Sequence, residues 1–243
     1  MASHTTLRIG GPVEFLVRVL TEEALAKIVS VSSRWGKPWR ILGLGSNMLI
    51  PDAGLPGVVA LLAGEFLEYQ FRGSSVEAGA GLPLARLARI AVDQGFGGLE
   101  ALAGFPSTVG GAVIMNAGCY GVEIKDLLET AIVVYPDGRR QALTAEDLQA
   151  GYRSTCLQGT DAVVVRATFR LEADDPANTQ ARLTDLTRRR RESMPQGRPN
   201  AGSIFKNPAG DHAGRLIDSC GLKGARRGGA LISPEHANVI VNT

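Results

Sequence analysis

The segment Ala103-Gly104-Phe105-Pro106-Ser107-Thr108-Val109-Gly110-Gly111-Ala112, closing on Asn116-Ala117-Gly118, constrains the fold more than any other part of the chain. It combines small residues, a hydroxyl pair and a double glycine over a short span. Glycine lets a backbone turn sharply or approach another group closely, because no Cβ stands in the way. Several N–H groups can then converge on one anion, such as a diphosphate. Ser107 and Thr108 stand where a short helical turn can begin, so their N–H and hydroxyl groups are expected to face that anion. The other reading is a glycine-rich crossover packed on a sheet. A second segment, Gly43-Leu44-Gly45-Ser46-Asn47, has the same character, although by itself it fits a tight turn as well. Two such loops in one chain point to a dinucleotide or nucleotide-sugar enzyme.

The surrounding pattern is mixed. Val13 to Leu20 alternates in part and reads as a strand. Thr21 can cap a following helix with Glu22 and Glu23 in its first turn and Leu25, Ile28 and Val29 on its apolar face. Trp39 to Leu42 reads as a strand feeding the first glycine loop, and Met48 to Ile50 and Gly57 to Leu62 are strand-like. A glycine loop at a strand end is where α/β units hold ligands. Phe66 to Phe71 and Ser75 to Ala78 read as paired strands turning at Arg72-Gly73-Ser74. Pro83 can open a helix with Leu84, Leu87, Ala88 and Ala91 on one face. Thr130 to Tyr135 and Arg139 to Leu143 read as a hairpin through Pro136-Asp137-Gly138. Ala162 to Leu171 reads as a strand, 173–179 as a polar junction, and Thr179 to Ser193 as a helix. From Pro195 onward the chain is again glycine-rich and polar.

Composition narrows the classes. With 26 basic and 24 acidic residues the net charge is +2, so nothing requires a polyanionic partner. The three cysteines, Cys119, Cys156 and Cys220, are scattered and have no metal-ligand spacing. A disulfide framework and a metal site are not expected, and a reducing cytoplasm fits. The N-terminus lacks a signal pattern, and no apolar run is long enough to span a bilayer.

Further residues could carry chemistry. In Asn200-Ala201-Gly202-Ser203-Ile204-Phe205-Lys206-Asn207-Pro208, Ser203 follows a flexible glycine, and Lys206 is close enough to ease negative charge nearby. A polar turn with an exposed lysine reads equally well, and this is not a hydrolase nucleophile elbow. Arg153, in Tyr152-Arg153-Ser154, could clamp a carboxylate with two N–H groups. His236, in Pro234-Glu235-His236-Ala237-Asn238, could be a ligand, an acid or a helix-start residue. Arg188 to Arg191 could touch nucleic acid, but cations in a last helical turn more often complement the helix dipole.

In order along nearly the whole chain, these motifs resemble the UDP-N-acetylenolpyruvoylglucosamine reductase family, the flavoenzymes of peptidoglycan precursor synthesis. The match includes Thr5-Thr6-Leu7-Arg8-Ile9-Gly10-Gly11-Pro12, then Gly43 through Ile50, then Ala103-Gly104 through Asn116-Ala117-Gly118-Cys119-Tyr120-Gly121. It continues through Gly151-Tyr152-Arg153, Ala201-Gly202-Ser203 to Pro208, Gly221-Leu222-Lys223-Gly224, Gly228-Gly229-Ala230 and Glu235-His236-Ala237-Asn238. The resemblance implies an α+β chain. Residues 1–62 and 63–172 would form the two-subdomain FAD-binding fold of the vanillyl-alcohol-oxidase/PCMH type, and 173–243 a smaller α+β substrate domain. The chain is similar to the short family type, without the extra substrate-covering loop.

The resemblance also implies roles. Gly43, Gly45, Ser46, Asn47 and Met48, with Ala103, Gly104, Ser107, Thr108, Gly110, Gly111, Ala112 and Asn116, would bind FAD across both loops. NADPH would be the electron donor, and a UDP-sugar carrying an enolpyruvyl group the substrate. Ser203 would be the proton donor, and Arg153 would stabilise the carbanion charge beside the substrate carboxylate. Tyr152, Lys206, Asn207, His236 and Asn238 would line the substrate. No metal, nucleic acid or membrane partner is implied, and a monomer is expected. The pattern departs at Ser107, where the family usually has glycine, and at His4, where asparagine is frequent. The family continues past the strand at 238–242 into a helix and strand bearing a catalytic glutamate, which lies outside this sequence. FAD binding is therefore expected to survive better than turnover. Alternatives are a flavin-binding module without turnover and an oxidase of the same fold.

Overall fold

The computed structural model describes all residues, Met1–Thr243, and the fold mixes helices and antiparallel sheets. The chain groups into two compact units. The larger is Val13–Gly43 with Pro56–Thr187, and the smaller is Met1–Pro12, Leu44–Leu55 and Arg188–Thr243. This grouping cuts the chain at other places than the expected borders at 62 and 172. The polar segment at 173–179 stays in the larger unit, where Glu172 and Ala173 pair with Gly97 and Phe96.

In the larger unit, a three-stranded sheet has the order Val13–Val19, Leu55–Leu62, Trp39–Ile41, and the last two strands run parallel. Helix Glu22–Arg34 starts where the Thr21 hydroxyl accepts the Ala24 N–H at 3.1 Å. Its Leu25 and Val29 are buried with Val19, Ala60, Phe66, Val163 and Val165.

A five-stranded antiparallel sheet follows, in the order Arg140–Leu143, Leu128–Val134, Val163–Arg170, Ser75–Gly79, Tyr69–Arg72. Its turns follow local chemistry: Gly73 (φ +60°) and Gly138 (φ +83°) take the left-handed conformation that L side chains resist. Helix Leu84–Asp93 begins after Pro83 and buries Leu84, Leu87, Ala88 and Ala91, the face its spacing predicts. That face joins Phe169, Val76 and Leu102 in the main core. Fully burying a side chain the size of Phe169 contributes about 1.5–3 kcal/mol.

The smaller unit contains a four-stranded antiparallel sheet in the order Asn200–Ser203, Val239–Asn242, Ala230–Ile232, Arg226–Arg227. One expected strand does not form: Met48 to Ile50 is irregular. Only Ile50 of the three is buried, and just beyond it Pro51 O accepts the Gly11 N–H at 3.0 Å from a distant segment. Among the helices, none is long and apolar enough to cross a membrane.

Candidate functional site

In the larger unit the glycine segment turns out to do two things. Helix Val109–Ile114 starts after Thr108, whose hydroxyl accepts the Gly111 N–H at 3.2 Å. The next two N–H groups are not aimed at a ligand. Val109 donates to Leu82 O and Gly110 to Ala80 O, each at 2.9 Å. The first N–H groups of the helix itself are thus spent on docking to neighbouring main chain. The donors left over lie just upstream: the Ser107 and Thr108 amides have no acceptor in the protein.

The double glycine divides in the same way. A Cβ on Gly110 would stand 2.9 Å from Ala80 Cβ, so this glycine exists for close packing. A Cβ on Gly111 would meet only the Thr108 and Ser107 hydroxyls, at 3.3 and 3.4 Å. Gly43 faces the same hydroxyl, since a Cβ there would lie 2.8 Å from Thr108 Oγ1. Ala103 and Ala112 are buried, and Gly104 is half-buried.

The segment Gly43–Ser46 tests whether an anionic cofactor fits this chain. None of its four amides donates to a protein acceptor. Gly45 is left-handed (φ +64°), the conformation that turns successive N–H groups toward one concave side. Four consecutive amides without acceptors, in a loop that only glycine can form, suit a phosphate group. Asn47 is exposed and Met48 half-buried.

Asn116 does not reach outward. It is buried at 1% exposure, and its carboxamide donates to Glu123 Oε2 (3.0 Å) and Gly151 O (2.8 Å) while accepting Lys125 N–H (2.9 Å). It shapes the turn after the helix. Arg153, in the separate turn Gly151–Ser154, docks against it. The guanidinium donates through Nη1 to Asn116 O (3.5 Å) and Glu123 Oε1 (3.3 Å), and through Nη2 to Gly118 O. It also stands 5.2 Å from the Tyr152 ring centre. A guanidinium has five N–H groups. Three are used, which leaves the Nε–H and one on Nη2 for an incoming anion. The Arg153 side chain is 32% exposed, so an anion can reach it. Glu123 was not found by sequence reasoning. The available signal was its place as a helix-start residue paired with Asp126, which caps helix Ile124–Leu127.

In the smaller unit Ser203 ends strand Asn200–Ser203, after Gly202 (φ +72°) breaks the register opposite Val239. Its hydroxyl is exposed and has no partner, and Lys206 is exposed. The loop is held at its base by Asn238, which is 3% exposed. Asn238 accepts Ile204 N–H on its carbonyl (2.9 Å) and Phe205 N–H on Oδ1 (3.0 Å), and it donates Nδ2 to Phe205 O (2.9 Å). Asn207 accepts the Ala213 N–H at 3.0 Å, at the start of helix Ala213–Ser219. His236 Nδ1 accepts the Asn238 N–H at 3.2 Å, which leaves Nε2 as its outward nitrogen. The Ser233 hydroxyl donates to Glu235 and holds that carboxyl below the usual range, with help from Arg198. Within the arginine run, Arg188 donates to Glu192 of the same helix at 2.9 Å.

Comparison with known proteins settles the family. Residues 13–144 match the model of an FAD binding domain, and residues 194–243 match the UDP-N-acetylenolpyruvoylglucosamine reductase C-terminal domain. The reductase 2 of Symbiobacterium thermophilum is 43% identical over 98% of this chain and 78% of its own length. The Halalkalibacterium halodurans reductase is 42% identical, and the Bacillus subtilis one 38%, over all of this chain and 81% and 80% of theirs. The chain belongs to the UDP-N-acetylenolpyruvoylglucosamine reductase family. A crystal structure of the Thermus caldophilus reductase superposes with a TM-score of 0.89 at 42% identity, covering 99% of this chain and 85% of that one. Membership accounts for the pairing of an FAD-binding domain with a C-terminal reductase domain in one chain, as the resemblance implied.

Proposed function

We propose that the chain is an FAD-dependent reductase that converts UDP-N-acetylglucosamine-enolpyruvate to UDP-N-acetylmuramate with NADPH. The observation that carries the reading is the run of four acceptor-less amides at Gly43–Ser46, found in a chain similar to relatives named UDP-N-acetylenolpyruvoylglucosamine reductase. FAD, when bound, supplies hydride transfer from NADPH to the enolpyruvyl double bond. In the larger unit, the Ser107 and Thr108 amides, with Gly43 and Gly111 packed beside their hydroxyls, receive its anionic part. Ala103, Gly104, Gly110, Ala112 and Asn116 shape that segment. In the smaller unit, Gly45, Ser46, Asn47 and Met48 add main-chain and side-chain contacts.

Arg153 binds the substrate carboxylate with its two remaining N–H groups and holds the negative charge that develops beside it. Tyr152 backs the guanidinium. Ser203 gives its hydroxyl proton to the carbon that becomes electron-rich. Its exposure and lack of a protein partner support that role, because a hydroxyl already donating elsewhere would have to break that bond first. Lys206, with Asn207, His236 and Asn238 around it, supports the anionic substrate. The substrate is a small UDP-sugar, and the proposed working form is a cytoplasmic monomer.

The test is spectroscopic. Purified protein should be yellow and release FAD on denaturation. NADPH should bleach the flavin, and NADPH consumption should accelerate only when UDP-N-acetylglucosamine-enolpyruvate is added. Yellow protein bleached by NADPH but indifferent to that substrate would favour a flavin-binding module instead. Colourless protein that cannot be reconstituted with FAD would overturn the reading.

A further inference from the structure

Arg153 is given the substrate carboxylate above, yet an arginine on its flexible stem samples many rotamers, and each one that misses the ligand weakens binding. Something has to hold the guanidinium. Glu123 faces it from the second strand of the short hairpin Gly118–Cys119 and Val122–Glu123, in which Gly118 and Glu123 are paired. Glu123 Oε1 accepts from Arg153 Nη1 at 3.3 Å. The other oxygen is fixed as well: Asn116 Nδ2 donates to Oε2 at 3.0 Å, and Lys125 Nζ stands 3.1 Å from it. The carboxylate is thus held at both ends. The lysine also offsets its charge, so the guanidinium stays attractive to a second carboxylate.

Gly118 makes room for this pair. A Cβ there would stand 2.7 Å from Glu123 Cγ and 3.0 Å from Arg153 Nη1. The turn that carries Arg153 does not itself need Glu123. Gly151 N–H donates to Ser154 O at 3.0 Å, Ser154 N–H donates back to Gly151 O at 3.2 Å, and Asn116 Nδ2 ties Gly151 O at 2.8 Å. What Glu123 adds is a grip on the Arg153 side chain. The backbone nearby is strained: Asn116 (φ +38°), Tyr120 (φ +52°) and Arg153 (φ +53°) are three of the five non-glycine residues with positive φ. Such conformations are costly and gather at functional sites.

We propose that Glu123 is a positioning residue for the substrate carboxylate: it aims the Arg153 guanidinium and does not touch the ligand itself. The inference rests on the reading of Arg153 above. Holo-protein without NADPH is titrated calorimetrically with UDP-N-acetylglucosamine-enolpyruvate and with UDP-N-acetylglucosamine, which lacks the carboxylate. Glu123→Gln keeps the shape and removes the charge. It should weaken the first ligand about tenfold, as for a disturbed hydrogen bond between charged groups, and leave the second within about twofold. Arg153→Ala should discriminate in the same way. The double variant should bind no more weakly than Arg153→Ala alone, because the two residues act as a unit. Equal losses for both ligands in Glu123→Gln overturn the inference, since a merely structural residue would loosen the whole site. Wild-type affinity for both ligands overturns it too, as do additive losses in the double variant. If Glu123→Gln does not fold with FAD, Glu123→Asp, which keeps the charge but retracts it, is titrated in its place under the same criteria. Failure of both to fold shows that Glu123 serves the fold, and the inference falls. Wild-type affinity for the enolpyruvate ligand in Arg153→Ala would instead remove the reading of Arg153, and the inference with it.

Discussion

The segment at 103–118 and the loop at 203–208 are built in opposite ways. In the first, Val109 and Ala112 are fully buried and the opening N–H groups of the helix are consumed by Leu82, Ala80 and the Thr108 hydroxyl. In the second, every residue from Ser203 to Pro208 is exposed, and the base is held chiefly by Asn238. A loop that keeps a cofactor gains from a rigid backing, because each donor must already point the right way. A group that gives up a proton must instead stay reachable. In the proposed roles, packing against a sheet supplies the first, and a strand end hung on one amide side chain supplies the second.

The widest separation between the two loops should appear in Ser203→Ala. Substrate reduction should slow about 10²–10⁴-fold, the usual worth of a positioned acid. Flavin bleaching by NADPH and the melting temperature should not move. Equal loss in both half-reactions, measured by stopped flow, would remove Ser203 from its role. Next come the paired changes Gly110→Val and Gly111→Val. The first forces a side chain onto Ala80, so it should destabilise the fold by about 1–3 kcal/mol or more. The second should leave a folded protein that is colourless. If thermal melts rank them the other way round, the division of the double glycine is wrong.

Asn238→Ala should act more mildly, since water can replace its bonds to the exposed loop. A loss of about 1–3 kcal/mol is expected from chemical denaturation, with the FAD content unchanged. A fall in FAD content as large as the fall in turnover would contradict the contrast. The smallest effect concerns the larger unit alone. Arg182 holds the Asp174 carboxyl below the usual range, aided by the Asp175 N–H and Asn178. A carboxyl with a lowered folded value stabilises above its ordinary value, about 3.9, and loses this as pH falls through the lowered one. Asp174→Asn should therefore melt slightly lower at pH 7, and the gap to wild type should close on acidification. A gap that widens in acid would show that Asp174 acts otherwise.

Much of the fold was legible because its causes are local. Thr21 caps, Pro83 opens a helix and Gly138 turns a hairpin, and each reads from a few neighbouring residues. What failed was non-local. Met48 to Ile50 has strand-forming residues, but whether a strand forms depends on a partner elsewhere. The use of the Val109 and Gly110 amides depends on Leu82 and Ala80, some thirty positions away. Motif order pointed to Arg153 and Ser203. It could not show Glu123 gripping Arg153, nor Asn238 gripping the Ser203 loop, since both are side chains reaching across to other segments.

The smaller unit is assembled from three separate stretches, Met1–Pro12, Leu44–Leu55 and Arg188–Thr243. Asn242 is bonded to the Leu7 carbonyl at 2.9 Å, 235 positions away. During synthesis, at about 5–20 residues per second, the first stretch therefore emerges on the order of ten seconds or more before Arg188–Thr243 exists. The larger unit, nearly continuous from Val13 to Thr187, can be complete by then. On the ribosome, the Leu7 carbonyl has to wait for Asn242 to be made before the two ends of this unit can be tied.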